Sequence, residues 1–236
     1  MKKVLLYSGG MDSWLISHIW KPDMKVYVNM HTRYSEEELK RIANESDVVV
    51  IDFPLGQWER DDAIIPLRNL YLVMAICNIT GSEDVDICLG ATAGDRVLDK
   101  SPKFTEMATE LLNYLYQPQH WIPEGKKVNV NIDFKGMTKT QLIKQFIALG
   151  GDINEAFNRS FSCYNPVDGH ECWQCKPCFR KFVSFALCGM KFSNDVVNKA
   201  INYIKTEIKP QIDAGTYGRA EEEKEILEVL SLYERS

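Results

Sequence analysis

Short, almost continuously apolar runs alternate along the chain with longer segments in which apolar residues recur every third or fourth position. The runs 3–7, 25–29, 48–53 and 85–89 predict strands buried on both faces. Segments 12–20, 36–45 and 67–79 between them predict helices. That alternation predicts a parallel sheet wrapped by helices. Ser35 followed by Glu38, and Thr138 followed by Gln141, each match a capping box, in which a hydroxyl and a carboxylate or amide satisfy the free amides of a helix start. Gly150-Gly151 after 142–149 is a helix stop. Residues 92–104 and 117–127, rich in Gly, Pro, Asp, Lys and Ser, read as binding loops following strand or helix ends. Farther on, 179–187, 196–208 and 220–233 predict helices. No internal repeat is present. The simplest partition is an α/β domain over 1–155 and a metal-bearing segment with a helical tail over 156–236, packed on it.

Composition fits a soluble globular protein: 236 residues, 45% hydrophobic and 26% charged, enough to bury a large core. A disulfide miniprotein and a disordered tail are excluded. No apolar run approaches the roughly 20 residues that cross a bilayer, so no membrane partner is expected. The opening Met1-Lys2-Lys3 and its brief apolar run do not make an export signal, which predicts a cytoplasmic address. With 28 Lys and Arg against 33 Asp and Glu, the net charge of −5 offers no global attraction for nucleic acid, and none is expected as partner.

Seven cysteines without an export signal need a reason. Cys77, Cys88 and Cys188 lie singly in apolar segments and read as small buried hydrophobes. Cys163, Cys172, Cys175 and Cys178 crowd together, and four thiolates with this spacing suit a closed tetrahedral structural Zn²⁺ site. An iron–sulfur cluster is the alternative for a Cys-x2-Cys-x2-Cys run. His170 is expected to be a loop histidine rather than a ligand.

Ser8-Gly9-Gly10-Met11-Asp12-Ser13 falls between the first strand and the first helix, where helix amides and the positive end of the dipole converge on an anion. Two glycines let a phosphate approach the backbone, and Ser8 and Ser13 add hydroxyl donors. Asp12 is either a ligand to a phosphate-bridging Mg²⁺ or a helix cap. A plain turn with no ligand is the third reading of this short motif.

Ser-Gly-Gly-x-Asp-Ser after an N-terminal strand resembles the motif of the PP-loop ATP pyrophosphatases, which implies a Rossmann-like fold with helices on both faces of the sheet. It further implies ATP with Mg²⁺, with Ser8, Gly9, Gly10, Met11, Asp12 and Ser13 holding the pyrophosphate end. Lys139, in Met137-Thr138-Lys139, is the candidate for a neutralising lysine. With the cysteines, Ile65-Pro66-Leu67-Arg68-Asn69, Ser162-Cys163-Tyr164 and Cys172 to Arg180, the chain is similar to the 7-cyano-7-deazaguanine synthase family of the queuosine precursor pathway. That resemblance implies a homodimer, zinc on the four cysteines, and ATP-driven conversion of 7-carboxy-7-deazaguanine and ammonia to a nitrile through an adenylated carboxylate and an amide. It makes Asp12, Lys139 and Arg68 the candidate catalytic residues. Two segments depart from the family pattern. Only Arg33 carries over from the stretch 30–34, and 95–104 replaces the usual substrate segment, leaving Arg33, Asp95 and Asp99 as candidate substrate contacts. The other readings are a PP-loop ligase acting on another base or on tRNA, and a zinc-stabilised nucleotide-binding module without turnover.

Overall fold

The computed structural model describes residues 1–161, 163 and 165–234. Ser162 and Tyr164 of the Ser-Cys-Tyr motif lie outside the described residues. The chain forms two compact units: residues 1–91 with 95–135, and 92–94 with 136–236.

The first unit holds a five-stranded sheet of β1 (Lys2–Leu6), β2 (Met24–Asn29), β3 (Val48–Asp52), β4 (Val85–Cys88) and β5 (Val128–Asn131). Its order is β3-β2-β1-β4-β5 and every neighbouring pair is parallel. Parallel neighbours need a crossover, supplied by α1 (Met11–Trp20), α2 (Ser35–Ile42), α3 (Arg68–Ile79) and α4 (Pro102–Leu115). Helices cover both sides of the sheet, giving the expected α/β fold. One face presents Val4, Val26, Val28, Val85, Ile87, Val128 and Val130, closed over by Leu72, Val73 and Ile76 of α3 and by Ala108 and Leu112 of α4. Helix α1 buries Met11, Trp14, Leu15 and Ile16.

Three local expectations are corrected here. Strand β3 is not buried on both faces: it is the sheet edge, and Val49 and Val50 are 40% and 49% exposed. The capping box at Ser35 does not form, because the Ser35 hydroxyl accepts from the Thr32 amide and the Glu38 carboxylate accepts from the Tyr27 hydroxyl. The stretch 95–104 is not a loop throughout. Ser101 caps α4 by accepting from the Phe104 amide, and Pro102 occupies the first helical position, where its missing N–H costs nothing.

The second unit is helical: α5 (Lys139–Ala148), α6 (Ile153–Arg159), α7 (Lys176–Ala186), α8 (Asn194–Tyr203), α9 (Lys209–Asp213) and α10 (Ala220–Glu234). A π turn over Ile204–Ile208 joins α8 to α9, and Pro210, which has no N–H to continue the α ladder, stands two residues beyond it. Phe179, Phe182 and Val183 of α7 pack with Ala200, Ile204, Ile208, Ile226, Val229 and Leu230 as its core. The Thr138–Gln141 capping box forms as expected. After α5, Gly150 adopts φ +91° and the Gly151 amide returns to the Phe146 carbonyl, the predicted stop.

Candidate nucleotide site and metal centre

Strand order reverses at β1, which has β2 on one side and β4 on the other. In an open parallel sheet this is where a crevice opens outside the carboxyl ends of the strands and ligands bind. The segment Ser8–Ser13 leaves β1 at that point and becomes α1. Gly9 takes φ +67°, and Gly10 is an extended N-cap without a side-chain cap. The two serines shape the loop: Ser13 Oγ donates to the Gly10 carbonyl at 3.1 Å and accepts from the Ser8 amide at 3.3 Å, while Ser8 Oγ accepts from the Gly10 amide at 3.4 Å. First-turn amides have no acceptor within a helix, so those of α1 point into the crevice together with its positive dipole end. The Met11 side chain is buried in the core, so only its backbone is left to the loop. Asp12 stands in the first turn, half-buried, while Gly10 occupies the N-cap position.

Arg68 is the first residue of α3, half-buried, and follows Leu67, a non-glycine residue at φ +60°. Arg33 is committed within its own unit: Nε lies 2.9 Å from a Glu59 carboxylate oxygen, and the terminal nitrogens donate to the carbonyls of Asp61 and Arg60 at 3.2 and 2.7 Å. It therefore pins the loop 59–61. Asp99 accepts from the Asn69 amide at 3.1 Å, so its carboxylate closes the start of α3. Asp95 pairs with Lys100 at 3.5 Å, and its carbonyl accepts from Lys135. Lys139 belongs to the second unit, where it opens α5 and lines a pocket with Arg180, Glu222 and Glu225. In that pocket Glu225 accepts from the hydroxyls of Thr138 and Thr140, and Glu222 accepts from Arg180, Arg219 and Tyr217.

The sulfurs of Cys163, Cys172, Cys175 and Cys178 all lie within 4.8 Å of one another, with Cys172 and Cys178 4.0 Å apart. Four thiolates bound at about 2.3 Å to one tetrahedral ion stand about 3.8 Å apart. The cluster can therefore hold a single metal ion such as zinc. An iron–sulfur cluster fits less well, since its thiolates bind separate irons and stand farther apart. Backbone amides of Asn165 and Cys172 point at Cys163 Sγ, and that of Gln174 at Cys172 Sγ, all at 3.3–3.4 Å. Cys175 caps α7 and Cys178 sits in its first turn, where the dipole favours thiolate. Without a cation the crowding works the other way. Hydrogen bonding to the Cys175 sulfur, followed by burial, pushes the Cys178 thiol up, and burial pushes Cys172 up to about 11. Cys77 and Cys88 are buried as expected, whereas Cys188 is half-buried, its sulfur 3.7 Å from the Thr140 carbonyl.

Sequence reasoning missed the brace beneath this centre. Lys181, 3% exposed, donates to Glu171 and the Phe157 carbonyl at 2.9 Å and also to the Ser160 carbonyl, with its ammonium over the Phe157 ring. No spacing signals a pair formed between a loop and a helix.

A family model described as "Queuosine biosynthesis protein QueC" matches residues 53–189, more than half of the chain. The chain belongs to the QueC family. The QueC match takes in Arg68, Asp99, Lys139 and all four cysteines, and the Ser8–Ser13 loop precedes it. Among curated proteins, a 7-cyano-7-deazaguanine synthase of Rickettsia africae (strain ESF-5) is 26% identical over 220 aligned positions, covering 78% of this chain and 93% of that one. One of Marinobacter nauticus is 24% identical over 221 positions, covering 79% and 93%. A "7-cyano-7-deazaguanine synthase 1" of Colwellia psychrerythraea is 23% identical over 218, covering 78% and 93%. No solved structure matches. Among the described residues no helix is long and apolar enough to cross a membrane.

Proposed function

We propose that this QueC-family chain is a carbon–nitrogen ligase that uses ATP to convert 7-carboxy-7-deazaguanine and ammonia to 7-cyano-7-deazaguanine. The observation that carries the reading is a glycine-rich loop opening a helix at the switch point of the sheet, in a chain whose relatives bear that synthase name. A carboxylate resists ammonia because it is anionic and its oxygen leaves poorly. Attack of the carboxylate on the α-phosphorus of ATP forms the acyl-adenylate and releases pyrophosphate. Ammonia then adds, AMP leaves and one proton goes to water, giving the amide. A second ATP adenylates the amide oxygen and releases a second pyrophosphate, and loss of AMP and of both nitrogen-bound protons to water gives the nitrile.

In this reading Ser8, Gly9, Gly10 and the amides of Met11 and Asp12 hold the departing pyrophosphate, and Ser13 keeps the loop in shape. Asp12 holds Mg²⁺, which neutralises phosphate charge when bound. Arg68 and Lys139 add positive charge during transfer. Zinc on the four cysteines is structural, since a closed site leaves no position for substrate. A homodimer working on small molecules in the cytoplasm, without nucleic acid, completes the proposal.

The divergent stretch 95–104 favours one second reading, the same chemistry on a different base. AMP release separates the two: ATP with the deazapurine acid and ammonia should yield AMP, pyrophosphate and nitrile, and Asp12→Ala should abolish all three while leaving metal content unchanged. Wild-type turnover by Asp12→Ala overturns the ATP site, and AMP release only with another base selects the second reading.

A further inference from the structure

The phosphate loop itself carries amides, hydroxyls and a carboxylate, and its residues 8–13 include no cationic side chain. A departing pyrophosphate concentrates more negative charge than one divalent ion and one helix end offset, so guanidinium or ammonium groups are needed beside it. Within the first unit, the geometry of Gly9 shows what lies there. A Cβ on Gly9 would stand 2.7 Å from Ile42 Cγ2 and 3.6 Å from Arg41 Cβ, so the last turn of α2 rests directly against the tightest point of the loop. Arg41 is half-buried at that contact.

Arg41, from the last turn of α2, and Arg68, opening α3, both act on Glu38, and Arg41 also acts on Tyr27. The Tyr27 hydroxyl donates to Glu38 at 2.9 Å from β2. Burial raises the Glu38 carboxyl, and the Tyr27 hydroxyl and the two guanidinium groups oppose that. Nothing in the sequence marked Arg41, which reads as one more charge on a polar helix.

We propose that Arg41 is an anion-binding residue of the Ser8–Ser13 loop that takes the β- and γ-phosphoryl oxygens departing as pyrophosphate. This rests on the reading of that loop as an ATP site. Planar guanidinium is the group that meets such oxygens with two parallel hydrogen bonds, which a lysine cannot do.

Calorimetric titration of the full-length chain with magnesium pyrophosphate and, separately, with AMP tests it. Arg41→Ala should weaken pyrophosphate binding by about tenfold or more, and Arg41→Lys should recover only part of the loss. AMP affinity should stay as in wild type, whereas a merely structural arginine would lower both affinities together. Arg41→Gln, neutral and similar in length, repeats the measurement if the alanine variant folds poorly. Pyrophosphate affinity unchanged in Arg41→Gln or Arg41→Ala, while Ser13→Ala weakens it, overturns the role of Arg41 and leaves the loop assignment standing. Failure of the wild-type chain to bind either magnesium pyrophosphate or magnesium ATP overturns both.

Discussion

Gly9 is the residue at which local geometry and site are hardest to separate. Its φ of +67° is disfavoured for any residue with a Cβ, and that Cβ would meet Ile42 at 2.7 Å. Gly9→Ala should therefore lower stability by about 1–3 kcal/mol and displace the loop, so that denaturant unfolding and ATP binding fail together. Lys181 shows the opposite kind of residue, one with a structural task only. Its ammonium serves Glu171 and two carbonyls in an almost waterless place, and burial holds its pKa below the usual lysine value. Removing it leaves Glu171 and both carbonyls without that donor, so Lys181→Met should cost about 3–5 kcal/mol by chemical denaturation. Restoring the volume with methionine separates the lost charge from a cavity. Neither Lys181 nor Arg33 was legible as structural in the sequence. Arg33 reads as a candidate substrate contact, and the carboxylate that claims it, Glu59, stands 26 positions away on another loop.

Elements were legible to the extent that their burial is one-sided in an obvious way. β1, β2 and β4 lie inside the sheet and show nearly continuous apolar runs. β3 shows the same run yet is an edge, because its valines satisfy strand propensity without being covered. β5 escaped notice since Val128 and Val130 face the core while Asn129 and Asn131 turn their amides to Asp86 at 2.7–2.8 Å, leaving only four alternating residues to read. Helix α4 was obscured by its own start signal, Ser101-Pro102, which also occurs in loops. The candidate substrate residue Asp99 belongs to this scale too. Its carboxylate accepts from Asn69 at the beginning of α3, the helix that Arg68 opens. Asp99→Ala should cost about 1 kcal/mol of stability, as loss of a helix cap does. Asp99→Asn keeps an acceptor and should cost less, so thermal melts of the two variants measure the capping role. A loss of activity in Asp99→Asn with an unchanged melt would assign the carboxylate to substrate instead.

At the scale of the whole molecule, the second unit depends on groups that protons and chelators attack. The four cysteines bring Phe161, Trp173 and the start of α7 together around one point, so removing the metal should open that cluster before it touches any chemistry. Incubation with a strong chelator is expected to release about one zinc per chain and lower the melting temperature, and re-addition of zinc should restore it. Iron with visible absorption in the purified protein would overturn the assignment. Acid acts through a different group as well. Burial alone would raise the Glu222 carboxyl, but Arg180, Tyr217 and Arg219 outweigh it and hold its pKa below the ordinary glutamate value. A carboxyl depressed in the folded state stabilises the fold above its unfolded pKa, and that contribution is lost as pH falls through the lower folded value. Stability should therefore decline below about pH 4.5, the unfolded glutamate value. Glu222→Gln should be less stable than wild type at neutral pH, and the gap should narrow on acidification. Because zinc loss in acid affects both proteins alike, the difference between their denaturation curves isolates Glu222. A gap that stays constant from pH 7 to pH 3 would mean that the three partners hold the side chain by shape and not by charge.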